Sequence, residues 1–413
     1  MKLVKPSVVK GTVQAPASKS VAQRAIALAA MAKGQSIIYN IGSSNDCHAA
    51  IDVCKAMGAQ INGDAQRLSV TGGLTYPAEQ LHCGESGLSI RMFSAIASIF
   101  DKPVTLTGCG SLANRPMHMV TDGLFKLGVS CSTNNGKQPI TVRGPIKGGS
   151  IKVDGSLSSQ AITGLLMASP FAQTDVTIQV KNLNSRPYID LTVEMMEEFG
   201  VKVDRLPNNT YHIAAHQSYK ACEYNVEGDW SGAAFMLVAG AIAGEVEVTN
   251  LNPKSLQADR AIVDALMATG ATVSINDGSI SVGKGNLLGF DFDARNCPDL
   301  FPPLVTLAAN CKGKSKILGV TRLRSKESDR AATLQQEFGK LGIKIVINGD
   351  EMVVEGGSIK ADTTFSHGDH RIAMACAIAA LRATGEVAIE DAQAVNKSYP
   401  NFFDNLYEIL TNH

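Results

Sequence analysis

Two kinds of apolar pattern alternate along this chain. In the first, almost every position is apolar: Val21 to Ala32, Ile90 to Ile99, Ile162 to Ala168, Ala233 to Ala243, Leu304 to Ala309 and Ile372 to Leu381. A helix that is apolar on all sides is a buried helix. In the second, apolar residues recur every three or four positions, as in Ile189, Val193, Met196 and Phe199, or Leu334, Phe338 and Leu341. That spacing predicts an amphipathic helix with one face on a core. Each amphipathic stretch runs into a glycine and then a short β-rich segment: Met57-Gly58-Ala59, Leu127-Gly128-Val129, Phe199-Gly200-Val201, Thr269-Gly270-Ala271 and Leu341-Gly342-Ile343. The glycines stand 70, 72, 70 and 72 residues apart. A constant register of this kind marks an internal repeat. A glycine just past a helix end is expected at positive φ.

Each repeat reads as strand, amphipathic helix, two strands and buried helix. A sixth copy opens near Gly385, and its first helix runs to the end of the sequence. The strand-like stretch Leu3 to Val13 precedes a buried helix and supplies what the sixth copy lacks. The predicted fold class is therefore α/β (α+β): two similar domains, each of three β-α-β-β-α units, six units in all. One domain spans 18–226; the other spans 227–413 and is completed by 1–17. Chain crossings near residues 17 and 227 would link them, with the active site expected in the interdomain cleft.

Composition narrows the possibilities. Lys plus Arg and Asp plus Glu are 38 each, so the net charge is zero. No global basic field draws in nucleic acid or an anionic membrane, and any anion affinity must be local. With 45% hydrophobic and 18% charged residues over 413 positions, the chain is globular and large enough for two or three domains. The nine cysteines include no C-x-x-C pair, which excludes a zinc ribbon or a thioredoxin-type motif. Met1 to Pro6 lacks the apolar core of a signal peptide. The apolar runs fall short of the roughly 20 residues of a membrane helix. A cytoplasmic protein with reduced thiols is expected, and a monomer.

Polar clusters open the buried helices in matching repeat positions: Lys19-Ser20, Glu85-Ser86-Gly87, Ser158-Ser159-Gln160, Asp229-Trp230-Ser231, Pro298-Asp299 and Asp369-His370-Arg371. Ser and Asp are ordinary N-caps. Capping does not account for Lys19, Arg24, Gln160 or Arg371, because a cation at a helix start opposes the helix dipole unless an anion is there. Basic residues also recur before the amphipathic helices: Arg115, Arg186, Arg322, Arg324, Lys326, Arg330 and Lys397. Such a set suits a small polyanion. Three weaker patterns are set aside. Gly108-Cys109-Gly110-Ser111-Leu112-Ala113 fits G-x-G-x-x-A, but Pro116 interrupts soon after. Gly313-Lys314-Ser315 follows a helix and precedes a strand, the wrong polarity for a phosphate loop. His367, Asp369 and His370 have no third His or Cys at a recognisable spacing, so no metal is expected.

The segments Pro16-Ala17-Ser18-Lys19-Ser20-Val21-Ala22-Gln23-Arg24-Ala25, Ser158-Ser159-Gln160, Arg186-Pro187-Tyr188-Ile189-Asp190, Lys326-Glu327-Ser328-Asp329-Arg330, Asp369-His370-Arg371 and Asn396-Lys397-Ser398-Tyr399-Pro400 resemble, in order, the signatures of the 5-enolpyruvylshikimate-3-phosphate synthase family. That family's six-copy, two-domain architecture agrees with the repeat count. The resemblance implies transfer of enolpyruvyl from phosphoenolpyruvate to the 5-hydroxyl of shikimate-3-phosphate, on the pathway to chorismate and the aromatic amino acids, with no metal or organic cofactor. It implies that Lys19, Ser20, Arg24, Ser158, Ser159, Gln160, Ser185, Tyr188, Asp299 and Lys326 hold shikimate-3-phosphate. It implies that Lys19, Gly87, Arg115, Gln160, Arg330, Arg371 and Lys397 hold phosphoenolpyruvate. Asp299 is the candidate base at the hydroxyl. Glu327 and Lys19 are candidates for proton traffic at the methylene carbon, with Lys397 and His370 assisting.

Bland readings stand beside these. Asp299 could only cap a helix, Glu327 could only pair with Arg330, and Tyr188 could only pack the core. Two departures bear on the anion site. Glu85-Ser86-Gly87-Leu88 stands where the family often has Asn-Ala-Gly-Thr, and Ser111 stands where some members carry an arginine. The sister enzyme acting on UDP-N-acetylglucosamine shares the architecture, but it typically has Asn where this chain has Ser20 and carries a loop cysteine at the position of Gly110. A scaffold that only binds anions would not need Asp299 and Glu327 among its cations.

Overall fold

The computed structural model describes residues 1–324 and 326–411; Ser325, within the basic run, lies outside the described residues. The chain divides into two compact units, 17–226 and 1–16 with 227–413. Each has its own apolar core. No helix among the described residues is long and apolar enough to cross a membrane.

The wholly apolar stretches are helices with buried surroundings: Lys19–Met31, Gly87–Ile96 and Gln160–Ala168 in one unit, and Trp230–Ala243, Phe301–Ala309 and His370–Ala380 in the other. Every residue of Trp230–Ala243 is buried. Each large side chain sealed in this way contributes roughly 1.5–3 kcal/mol. Small residues let these helices approach closely. A Cβ on Gly164 would stand 2.9 Å from the Met92 backbone, so the helices holding the two pack main chain against main chain, which glycine allows. The five repeat glycines, 58, 128, 200, 270 and 342, have φ of 93°, 79°, 84°, 88° and 81°. The expected left-handed helix exit is thus present in five of the six copies; the sixth ends at Ile409 with φ −97°.

The repeat differs from the sequence expectation by one strand. After the hairpin of each unit comes a short further strand that leads into the buried helix: Leu81–His82, Gly149–Asp154, Glu223–Asn225, Asp291–Asp293 and Thr363–Phe365. Four of these pair in parallel with the strand that follows the buried helix. Each such helix is therefore the crossover of a parallel β-α-β element. Four of them are only two or three residues long and carry no readable alternation, which is why the pattern missed those; Gly149–Asp154 is six residues. The remaining pairings close each unit on itself. Glu223–Asn225 runs parallel to Gln35–Tyr39, and the N-terminal strand Val8–Gln14 runs parallel to Gly244–Thr249. Lys2–Val4 pairs with Val387–Glu390, and Val8 and Val9 with the final strand Leu410–Thr411, so the N-terminus joins the sixth copy. The sheets carry two-residue hairpin turns whose chemistry is legible. Asn135-Gly136 sits at positive φ, as such turns require, and the three-residue turn Pro207-Asn208-Asn209 places both asparagines there.

Candidate active site

In the unit 17–226 the buried helices begin with cations and hydroxyls. Lys19 is the first residue of its helix, and its Nζ stands 3.0 Å from Asp46 Oδ2. Asp46 was not foreseen; it reads as an acidic first-turn residue of the helix Asn45–Ala56. Ser20 is half-buried beside Lys19. Arg24, 2% exposed, donates from Nε to Thr192 Oγ1 at 2.9 Å, from Nη1 to the Ser20 carbonyl at 2.7 Å and from Nη2 to Thr163 Oγ1 at 3.1 Å. All three acceptors are neutral. Burial pulls the Arg24 pKa down to about 10, and Tyr188 and Tyr224 act the other way. The group stays cationic at neutral pH.

A second set of side chains gathers at the start of Gly87–Ile96. Ser86 caps this helix, accepting from the Ser89 N–H. Ser86 and Ser89 both donate to Gln23 Oε1, at 2.7 and 2.9 Å. Arg91, 2% exposed, donates from Nη1 to Gln160 Oε1 at 2.6 Å and from Nη2 to the Pro116 carbonyl at 3.1 Å. Arg115 is 7% exposed. A Cβ on Gly87 would stand 2.5 Å from Arg115 Nη1, 2.8 Å from its Cζ and 3.0 Å from Arg91 Nη1. Two guanidinium groups thus converge on the N-terminal residue of a buried helix, and the absence of a side chain at Gly87 is what lets them. Such a helix start attracts anions. Arg91 and Gln23 were not singled out in the sequence. Their signal was a charged and an amide residue inside buried, largely apolar helices. Glu85 is exposed, and its carboxylate lies against Gly110, where any Cβ would collide with it. The residue that departs from the family pattern therefore packs on the loop leading to Arg115. Leu88 is buried.

The remaining residues of this unit fall on two further helix starts. Ser158 Oγ accepts from the Gln160 N–H at 3.2 Å, and Ser159 is 6% exposed at the N-cap. Ser185, the N-cap of Arg186–Glu198, has φ 57°. A non-glycine residue holds that conformation only when its surroundings enforce it. Tyr188 packs against the core, and its carbonyl accepts from Thr192 Oγ1, which joins it to the Arg24 hydroxyls. Arg186 is mostly exposed, 3.5 Å from Asp190.

In the other unit the pattern is reversed: cations meet carboxylates. Asp299 lies in the one-turn helix Pro298–Leu300 that precedes Phe301–Ala309. It makes no capping bond. Its Oδ1 accepts from Arg330 Nη1 at 2.6 Å and Lys326 Nζ at 3.2 Å, and its Oδ2 from Arg371 Nη2 at 3.3 Å. Burial alone would raise its pKa. Arg371, Lys326 and Arg330 outweigh burial and hold the carboxyl well below its ordinary value. Arg330 is fully buried. It also donates to Glu327 Oε2 at 2.7 Å and to Asp369 Oδ2 at 2.8 Å. Burial works against its charge, but Asp369, Glu327 and Asp299 raise its pKa overall. The pairing reading of Glu327 is thus realised. Lys326 is shifted down by burial and by its cationic neighbours Arg330 and Arg322, despite Asp299. Arg371 is 3% exposed. Its Nε is buried and has no hydrogen-bond partner among the described residues, on a helix whose cap is Asp369. His370 is fully buried, its Nδ1 3.7 Å from Asp369 Oδ1. Lys397, 6% exposed, ends the short helix Ala392–Lys397. His367 does not join Asp369 and His370; it faces Glu337.

Behind Asp299 and Arg371 sits Asp259, fully buried and hydrogen-bonded by Ser231 Oγ. It too was not foreseen, since an aspartate in a short turn before a helix looks like a cap. Burial raises its pKa, with Asp299 adding to the rise against Arg371 and Ser231, to about 6.

The fold is shared with known structures. The enolpyruvyl transferase NikO from Streptomyces tendae superposes with a TM-score of 0.79 at 16% identity, covering 98% of this chain and 96% of that one; the likeness defines the fold class. An EPSP synthase from Acinetobacter baumannii reaches a TM-score of 0.85 at 26% identity over 99% of this chain and 98% of that one. The 3-phosphoshikimate 1-carboxyvinyltransferase of Methanocorpusculum labreanum is 36% identical over 413 residues, 98% of each chain. A family profile for EPSP synthase (3-phosphoshikimate 1-carboxyvinyltransferase) matches residues 3–406, and the chain belongs to that family.

Two expectations follow from this geometry. Gly87→Ala places a methyl group against the Arg115 guanidinium and should raise the KM for phosphoenolpyruvate by about tenfold or more, since small misplacements at a site are costly. Steady-state kinetics on the folded variant test this, and an unchanged KM contradicts it. The second concerns Asp259. A carboxyl whose pKa is higher in the folded than in the unfolded chain contributes stability that is complete below about pH 4 and lost as pH rises through about 6. Asp259→Asn cannot ionise, so its Tm relative to the parent should improve from pH 4.5 to pH 7. A difference independent of pH contradicts the assignment.

Proposed function

We propose that these residues carry out the family's reaction: the 5-hydroxyl oxygen of shikimate-3-phosphate adds to C2 of phosphoenolpyruvate, and phosphate is then eliminated. In the addition, the hydroxyl proton leaves the oxygen, a C–O bond forms at C2 and a proton is added at C3. The product of that half is a tetrahedral phospho-ketal. In the elimination, C3 gives up a proton, the C2–O bond to phosphate breaks, and the enol ether and inorganic phosphate are released.

The observation that carries this reading is Asp299, bound by Arg330, Arg371 and Lys326 at once. Carboxylates of phosphoenolpyruvate and oxygens of its phosphate are the natural competitors for those arginines, because guanidinium groups bind such anions in a bidentate manner. An anion on Arg330 and Arg371 takes the hydrogen bonds that depress the Asp299 pKa. Binding of the second substrate thereby raises the basicity of the carboxylate that must accept the hydroxyl proton. Arg371, with an unused Nε, can extend to the incoming anion without first breaking all its bonds.

The remaining roles follow. Lys19, Gly87, Arg115, Gln160 and Lys397 hold phosphoenolpyruvate with these arginines. Ser20, Arg24, Ser158, Ser159, Ser185, Tyr188 and Lys326 hold shikimate-3-phosphate; Arg24 acts through the Ser20 and Thr163 positions that it braces. Lys19 and Glu327 move the proton at C3, assisted by Lys397 and His370. Glu327 is suited to this because it shares Arg330 with Asp299. The protein acts as a cytoplasmic monomer on small-molecule substrates.

The test is phosphate release from the purified protein with phosphoenolpyruvate and either shikimate-3-phosphate or UDP-N-acetylglucosamine. Release is expected with shikimate-3-phosphate alone. Release with the sugar nucleotide alone would assign the chain the sister reaction, and release with neither would leave it an anion-binding protein.

A further inference from the structure

The loop Phe365 to Asp369 touches three elements, and each of them carries a cation of the proposed phosphoenolpyruvate set. The first is the helix Arg330–Lys340. Arg330 opens it, and Glu337, two turns on, is fully buried. Glu337 Oε2 accepts from the Phe365 backbone N–H at 2.9 Å, and its Oε1 lies 2.8 Å from His367 Nε2. Lys340 Nζ reaches the same carboxylate at 2.8 and 3.0 Å. Burial opposes the charge on Glu337, but His367, Lys340 and the Phe365 N–H hold its pKa below the ordinary value. It therefore acts as an acceptor. The second element is the turn Ala392–Lys397, which begins after Asp391. Asp391 Oδ2 accepts from Ser366 Oγ at 2.6 Å and from the Gly368 N–H at 3.1 Å. The third is the helix His370–Ala380, capped by Asp369, the last residue of the loop.

His367 and Gly368 are both at positive φ, 56° and 68°. For a histidine this conformation is strained and persists only where contacts impose it. Glu337 and Asp391 supply those contacts from opposite sides. The loop is thus attached to the Arg330 helix at two points, Glu337 at one end and the Arg330–Asp369 pair at the other. If the Glu337 end is released, Asp369 still meets Arg330 directly and Arg371 reaches it through Asp299, but the loop that sets where the Arg371 helix starts loses its second anchor on the Arg330 helix.

We propose that Glu337 is a positioning residue for phosphoenolpyruvate: by fixing Phe365 and His367 it sets Arg371 at its working distance from Arg330. Glu337 does not touch substrate. The proposal rests on the reading that Arg330 and Arg371 bind phosphoenolpyruvate, and the test separates the two. In Glu337→Gln, an amide N–H must face a donor that the carboxylate accepted. The KM for phosphoenolpyruvate should rise about tenfold, while the KM for shikimate-3-phosphate stays within about twofold and kcat within about threefold, as expected when geometry is lost at one substrate only. His367→Ala removes one of the two loop contacts at a partly exposed residue, so it carries the test if Glu337→Gln does not fold. It should raise the same KM several-fold, and His367→Gln, which can still donate to Glu337, should restore it. Arg371→Lys serves as the reference and should raise the KM for phosphoenolpyruvate on its own. A lowered Tm with both KM values unchanged, or an equal rise in both, would make Glu337 a structural residue and overturn the proposal while leaving the Arg371 reading intact. An unchanged KM in Arg371→Lys would overturn both.

Discussion

A guanidinium group cannot be relieved of its charge by deprotonation, so an arginine placed inside an apolar helix must be satisfied where it stands. This protein places Arg24, Arg91, Arg330 and Arg371 at 3% exposure or less, and the surroundings of each site follow from how they are met. Arg24 donates to hydroxyls and a carbonyl, which satisfy its hydrogen bonds and leave its charge uncompensated. Arg330 is met by three carboxylates, Asp299, Glu327 and Asp369. The first arrangement holds a standing attraction for an anion. The second holds an anion's place with a protein carboxylate that can be exchanged. Charge compensation within the protein is what makes Asp299 a weak base, and its relief is what would make it a strong one.

The same logic assigns work to residues behind these arginines. Asp259 adds a further buried carboxyl behind Arg371 and Asp299. Glu337 and Asp391 brace the loop from which the Arg371 helix starts. The repeat makes such bracing economical in sequence. Four of the six buried helices are crossovers between two parallel strands, so their first residues emerge at the same edge of their sheets, and each copy can commit two or three residues there without disturbing the core.

Much of this was legible in the sequence because it depends on pattern. Five glycines in constant register located the helix ends, and the all-apolar stretches located the buried helices. The polar clusters at their starts contained Lys19, Gln160, Asp299 and Arg371. Four of the strands entering the buried helices were not legible, since two or three residues show no periodicity. Asp46, Asp259 and Glu337 were missed for a different reason. Each looks locally like a cap or a solvated helix position, and its role depends on a partner far along the chain: Lys19 for Asp46, Ser231 for Asp259 and Phe365 for Glu337. Glu85 was legible as a departure, but its packing against Gly110 was not. Glu327 was readable as a partner of Arg330 or as a proton carrier; the pair is present, and it is compatible with the proton role proposed.

The proposed reaction turns on Asp299 as a base held in check by the cations proposed to receive phosphoenolpyruvate. The most direct measurement is the steady-state kinetics of Asp299→Asn. An asparagine keeps the shape, gives up the charge that competes for Arg330 and Arg371, and cannot accept the hydroxyl proton. The account expects kcat to fall by about 10²–10⁴-fold, the range for loss of a general base, with no rise in the KM for phosphoenolpyruvate. A kcat within tenfold of the parent would contradict it.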